Sequence, residues 1–106
     1  MNESVGNRPV QAANNNSYGT SKYKQKQFSK AVELHSRALA TYRDLNRHLG
    51  IAQALFNLGH DFYAVGDIEK ALTSWVEAQV IFEKEDNQNP MLIEIRELVK
   101  FEKKLF

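Results

Sequence analysis

The chain has 106 residues, of which 42% are hydrophobic and 25% charged, as is ordinary for one small globular domain. It has no apolar run near the roughly 20 residues of a membrane-crossing helix, and its polar N-terminus lacks the apolar centre of a signal peptide. Cysteine is absent, which excludes disulfides and thiolate metal sites and fits a cytoplasmic location.

The net charge of +1 is unevenly distributed along the chain. Residues 1–50 carry eight Lys/Arg and three Asp/Glu, a net of +5, whereas residues 51–106 carry six and ten, a net of −4. This asymmetry suggests an acidic partner for the first half or attraction between copies of the chain. Two solvated faces without a special role explain it equally well.

The first sixteen residues are poor helix material. Asn14, Asn15 and Asn16 have low helix propensity, and Gly6 and Pro9 precede them. We therefore expect residues 1–16 to be disordered or loosely ordered, with a short or frayed helix before residue 25.

Two amphipathic helices follow in the sequence. Apolar residues at i, i+3, i+4 and i+7 predict one helix over about 29–48, with Ser29 as a possible cap and Gly50 as a stop. The same spacing predicts a second helix over about 51–65. Gly66 and Asp67 then predict a tight turn, in which the glycine is left-handed and the aspartate caps the next helix.

Two further helices complete the chain. One is predicted over about 68–84, with Ala71, Trp75 and Ala78 turned inward. A polar loop over 86–89 follows it. Asn89 and Pro90 then predict the start of a last helix, which extends to about residue 105.

Many positions recur after 40 residues. A fixed period between 20 and 50 residues is typical of stacked helical repeats, and such arrays build extended binding surfaces. The recurring pairs include glycine, alanine and aromatic positions: Gly19 and Gly59, Ala31 and Ala71, Ala38 and Ala78, Tyr42 and Phe82.

Residues 51–85 closely resemble a tetratricopeptide repeat. The match consists of a Leu-Gly pair, an aromatic residue, a Gly-Asp turn, a Lys-Ala pair, a second aromatic residue and an alanine: Leu58, Gly59, Phe62, Gly66, Asp67, Lys70, Ala71, Trp75 and Ala78. The 40-residue spacing, longer than the usual 34, is similar to that of the Leu-Gly-Asn-type branch.

The resemblance implies an all-α fold, a short right-handed α-solenoid of antiparallel helical hairpins with about two and a half repeats. It divides residues 17–106 into a degenerate repeat (17–50), the clear repeat (51–85) and a capping helix (90–105). In the degenerate repeat, Tyr18 and Gly19 replace the Leu-Gly pair and His35 replaces the second aromatic residue.

The resemblance also implies a function, since in this family the first helix of each hairpin lines a concave groove. A peptide or helix of a partner protein usually binds there, and Asn57 matches a position that commonly hydrogen-bonds a partner's backbone. Arg96 and Lys100, four residues apart, could pair with a carboxylate. The partner-binding positions implied are Gln53, Phe56, Asn57, His60 and Tyr63, and one period later Ile93, Arg96, Glu97 and Lys100.

In this family a carboxylate clamp binds acidic C-termini of partner proteins. The sequence fits such a clamp less well than a general peptide- or helix-binding groove. Ser17 and Thr20 occupy positions at which the clamp needs further Lys and Asn. Histidines 35, 48 and 60 form no zinc motif, and there is no phosphate loop or nucleophile–base pair. We therefore expect an adaptor or scaffold without a cofactor or metal, and not an enzyme.

Two other functions stay open. Exposed apolar residues at the end of the last helix (Phe101, Leu105 and Phe106) suggest an assembly subunit or self-association. Lysines over 22–30, interleaved with Tyr23 and Phe28, could face nucleic-acid phosphates, although a solvated helix end explains them better.

Overall fold

The structure is a computed structural model that describes residues 7–105, with side chains described up to Glu102. The fold is all-α, as predicted. Successive helices are antiparallel and each packs on its neighbour in the chain. The stack is therefore a short α-solenoid. Its five helices, with no strand over 7–105, are α1 (Arg8–Lys24), α2 (Phe28–Asp44), α3 (His48–Ala64), α4 (Ile68–Glu85) and α5 (Pro90–Leu105).

Three nearly identical turns connect the first four helices, which start at a regular interval of 20 residues. Lys26, Asn46 and Gly66 have positive φ angles of 63°, 55° and 87°. In the third turn Gly66 N–H donates to the carbonyl of Tyr63 (3.0 Å) and Asp67 N–H to that of Phe62 (2.9 Å), and the other two repeat this pattern. The left-handed Gly66 is confirmed; the same conformation at the other two positions was not predicted.

The predicted caps have different outcomes. The Asp67 side chain accepts a hydrogen bond from Lys70 N–H at 3.2 Å, and Asn89 Oδ1 accepts from Met91 N–H at 2.9 Å, so both caps are confirmed. Ser29 is not a cap, because α2 already begins at Phe28.

Gly50 lies inside α3 and does not stop a helix. A Cβ at this position would overlap the ring of Tyr42 on α2. The glycine is therefore explained by the close approach of two helices and not by a loop.

Helix α1 is longer than expected and begins at Arg8. Pro9 is tolerated because it lies in the first turn, where backbone N–H groups lack helical partners anyway. Ala12 and Gly19 are buried, so packing stabilises a segment with low intrinsic propensity. Residues 1–6, the rest of the expected loose segment, lie outside the described residues.

Close glycine–ring contacts recur in the two repeats. Gly59 on α3 allows the ring of Trp75 on α4 to pack against the helix backbone, and Gly19 on α1 does the same for His35 on α2. Trp75 is fully buried and His35 is 1% exposed. His35 is therefore a buried core residue at the position that Trp75 occupies in the clear repeat.

Helix α5 is one residue out of phase with the 40-residue period. On α3, Asp61 contacts His35 of α2, and Ile51, Ala54 and Leu58 precede it at helical spacing; all four are buried. The buried residues of α5 are Leu92, Ile95, Val99 and Glu102, which correspond to them at a step of 41. At this step Val99, and not Leu98, corresponds to Leu58.

Candidate functional site

A cavity of about 270 Å³ opens between α1 and α3. Two of the predicted partner-binding residues, Asn57 and His60, line it. The wall combines aromatic, amide, hydroxyl and charged side chains: Thr20, Tyr23, Lys24, His35, Asn57, His60 and Asp61.

His60 is surrounded by rings on one side and faces a carboxylate on the other. Its ring makes edge-to-face contacts with Phe56 and Trp75, at centroid distances of 4.8 and 5.4 Å. Its Nε2 lies 3.3 Å from a carboxylate oxygen of Glu94 on α5. Burial lowers the pKa of His60 below its usual 6.5, against the opposing effects of Glu94 and Asp61. A neutral imidazole is therefore favoured at pH 7.

His35 and Asp61 form a buried pair behind the cavity. The His35 Nδ1 lies 2.5 Å from Asp61 Oδ2, with side-chain exposures of 2% and 1%. The other ring nitrogen, Nε2, lies 3.2 Å from the backbone carbonyl oxygen of Asn16. Both ring nitrogens thus face oxygen atoms, which orients the imidazole firmly between α1 and α3.

One carboxylate oxygen of Asp61 accepts no hydrogen bond from the described residues. This atom, Oδ1, is buried. Sequence reasoning missed this residue. A signal was available, because Asp61 stands three positions after Leu58 in the apolar stripe of α3, where a charge must be buried.

The other predicted residues of α3 are spread along the helix. Gln53 lines a separate cavity of about 480 Å³ near the start of α3. Phe56 is half-buried, and its backbone carbonyl accepts a hydrogen bond from Trp75 Nε1 at 3.3 Å. Tyr63 contacts the Trp75 ring, and the interaction of its hydroxyl with the Glu102 carboxylate raises the pKa of Tyr63.

The predicted α5 residues lie differently from the expected arrangement. The Arg96 guanidinium donates a hydrogen bond to Glu83 on α4 at 3.2 Å, and Lys100 is exposed. At the observed step of 41, four predicted residues of α3 (Gln53, Phe56, Asn57 and His60) correspond to positions on α5 one residue later than predicted. These are Glu94, Glu97, Leu98 and Phe101. A role of Arg96 and Lys100 in partner binding stays a prediction.

The basic stretch over residues 22–30 surrounds the turn between α1 and α2. Lys24, Lys26 and Lys30 are exposed. The rings of Tyr23 and Phe28 contact each other edge to face at a centroid distance of 5.4 Å. Both rings therefore contribute to packing at this end of the hairpin.

These features define a helical-repeat protein. The tetratricopeptide repeat family model matches residues 10–74, which is more than half of the chain, and the protein belongs to this family. No curated protein and no solved structure matches it significantly. Over the described residues, no helix is long and apolar enough to cross a membrane, and no three metal-ligating side chains cluster.

Proposed function

We propose that the protein is an adaptor or scaffold that binds a segment of a partner protein on the inner surface of α1, α3 and α5. Tetratricopeptide repeats generally mediate protein–protein interactions. The observation that supports this site is the cavity between α1 and α3, because Asn57 and His60 line it together.

The chemistry of this surface suits an extended peptide or a helix. The Asn57 amide offers a donor and an acceptor for a partner's backbone. The rings of Tyr23 and His60, 6.4 Å apart between centroids, provide apolar walls. The exposed ammonium group of Lys24 lies on the α1 side and the carboxylate of Glu94 on the α5 side, so a partner with opposite charges at its ends has a preferred direction.

The test is a pull-down with the immobilised wild type and two variants, Asn57→Ala and His60→Ala, from a lysate of the source cells. Asn87→Ala is the matched control, because Asn87 is exposed in the loop before α5. We expect a protein that the wild type and the control capture and that both inner-surface variants lose. Equal capture by all four proteins would exclude the inner surface as the binding site.

A second candidate function is that of an assembly subunit that docks through the ends of the solenoid. At a step of 41, Ile93 on α5 corresponds to Ala52 on α3. Ala52 is fully buried, whereas Ile93 is 64% exposed. On α1, Tyr18 corresponds to the buried Leu58 and is 60% exposed. The side chains of Leu105 and Phe106, which the sequence also suggested for docking, lie outside the described residues.

A further inference from the structure

We infer that the cavity between α1 and α3 selects a cationic side chain, lysine or arginine, from the bound partner segment. This inference rests on the proposed function and specifies the chemistry of the partner. Its starting point is Asp61, whose buried Oδ1 has no hydrogen-bond donor among the described residues although the side chain lines the cavity.

An unpaired buried carboxylate oxygen is costly, because it has lost its hydration without gaining a hydrogen bond. His35 occupies the other oxygen, Oδ2, so Asp61 can accept a further donor at Oδ1 without breaking the existing pair. An ammonium or guanidinium group supplies that donor with a favourable charge.

The walls of the cavity suit the apolar stem of such a side chain. The Tyr23 and His60 rings line the cavity, and aromatic rings attract cations as well as methylene groups. The Asn57 side-chain carbonyl offers a second acceptor. His60 also favours a cation, because its neutral form adds no opposing charge.

The size of the cavity argues for a single side chain. About 270 Å³ lies just below the range of roughly 300–1,000 Å³ that is typical of small-molecule sites. Lys24 lines the cavity and adds a positive charge. It therefore weakens the binding of a cation, which gives the inference a second, independent test.

The experiment is an NMR titration of the full-length protein with four acetylated, amidated peptides of the form Gly-Ala-X-Ala-Gly, where X is Lys, Arg, Leu or Glu. The reporters are the side-chain amide of Asn57 and the ring of His60. We expect the Lys and Arg peptides to bind about tenfold more tightly than the Leu and Glu peptides. Asp61→Asn should remove this preference, and Lys24→Gln should strengthen it.

A thermal melt of each variant checks that it is folded. If Asp61→Asn does not fold, Lys24→Gln and the order of the four peptides on the wild type still decide the question. Tighter binding of the Glu or Leu peptide, or equal binding of all four, would overturn the inference and leave the proposed function standing. No shift at Asn57 or His60 with any peptide would count against both.

Discussion

At the scale of single residues, the most unusual position is His35. His35 occupies the position that Trp75 occupies in the next repeat. Its ring packs against Gly19, just as the Trp75 ring packs against Gly59. A polar ring in a buried position needs partners, and Asp61 on α3 supplies one. The degenerate repeat thus substitutes a buried His–Asp hydrogen bond for aromatic packing.

We expect the His35–Asp61 pair to be strongly coupled in stability. Asp61→Leu or His35→Phe alone leaves the other buried side chain without its partner. Such a loss typically lowers the free energy of unfolding by about 3–5 kcal/mol. The double variant should unfold at a denaturant concentration near that of the wild type, because no buried polar group is left without its partner. Urea denaturation of all four proteins measures this coupling, and additive losses in the double variant would contradict it.

His60 should titrate below pH 6.5, because burial lowers its pKa. Its contribution to the free energy of unfolding is complete above pH 6.5 and declines as the pH falls from there towards the folded-state pKa. Glu94→Gln should lower the pKa further, because the carboxylate favours the imidazolium. NMR titration of the His60 ring checks both statements; a midpoint above 6.5, or a rise in the variant, would disprove them.

At the scale of secondary-structure elements, the three helix-connecting turns share a geometry but not a sequence. Gly66 adopts its positive φ without steric cost, whereas Lys26 and Asn46 carry a Cβ in the same conformation. Left-handed backbone costs an L-residue roughly 1–2 kcal/mol, and less for asparagine. Two of the three turns therefore contain local strain that the packed helices maintain.

Lys26→Gly should consequently stabilise the protein, by up to about 1 kcal/mol, since the gain exceeds the extra entropy of an unfolded glycine. Asn46→Gly should have a smaller effect, and Gly66→Lys should be destabilising. Urea denaturation of the three variants gives the order. A loss of stability in Lys26→Gly would show that the lysine side chain contributes more than its backbone strain costs.

The apolar spacing predicted helices α2 to α5, and the Gly66–Asp67 pair predicted the third turn, because these depend on local pattern. The resemblance to the repeat predicted the position of His35. The register of α5 could not be predicted in this way. Leu98 and Val99 are both apolar, so the sequence accommodates a step of 40 or 41 equally well. The pairing of Asp61 with His35 was also missed, since it joins residues 26 positions apart on different helices.

At the scale of the whole molecule, the two end helices expose apolar side chains over the described residues. Val10 and Tyr18 on α1 are 58% and 60% exposed, and Ile93 on α5 is 64% exposed. The first half of the chain is basic and the second acidic. Apolar area and complementary charge therefore both favour contact between the α1 end of one copy and the α5 end of another.

If the second candidate function is correct, the average mass of the protein in analytical ultracentrifugation should increase with concentration. Tyr18→Glu and Ile93→Glu should each reduce this association. Val65→Glu is the control, because Val65 is exposed at the α3–α4 turn, away from both end faces. A monomeric mass at all concentrations would exclude docking between copies.

The late start of α5 has a consequence for protein engineering. Residues 28–67 contain two helices and two turns, each helix starting 20 residues after the one before. Tandem copies of this 40-residue unit should therefore extend the solenoid with the same helix packing. An array extended through α5 behaves differently. The buried residues of α5 correspond to those of α3 at a step of 41, so a module added after α5 has to be aligned at that step. Alignment at a step of 40 would turn its helix faces by about 100°.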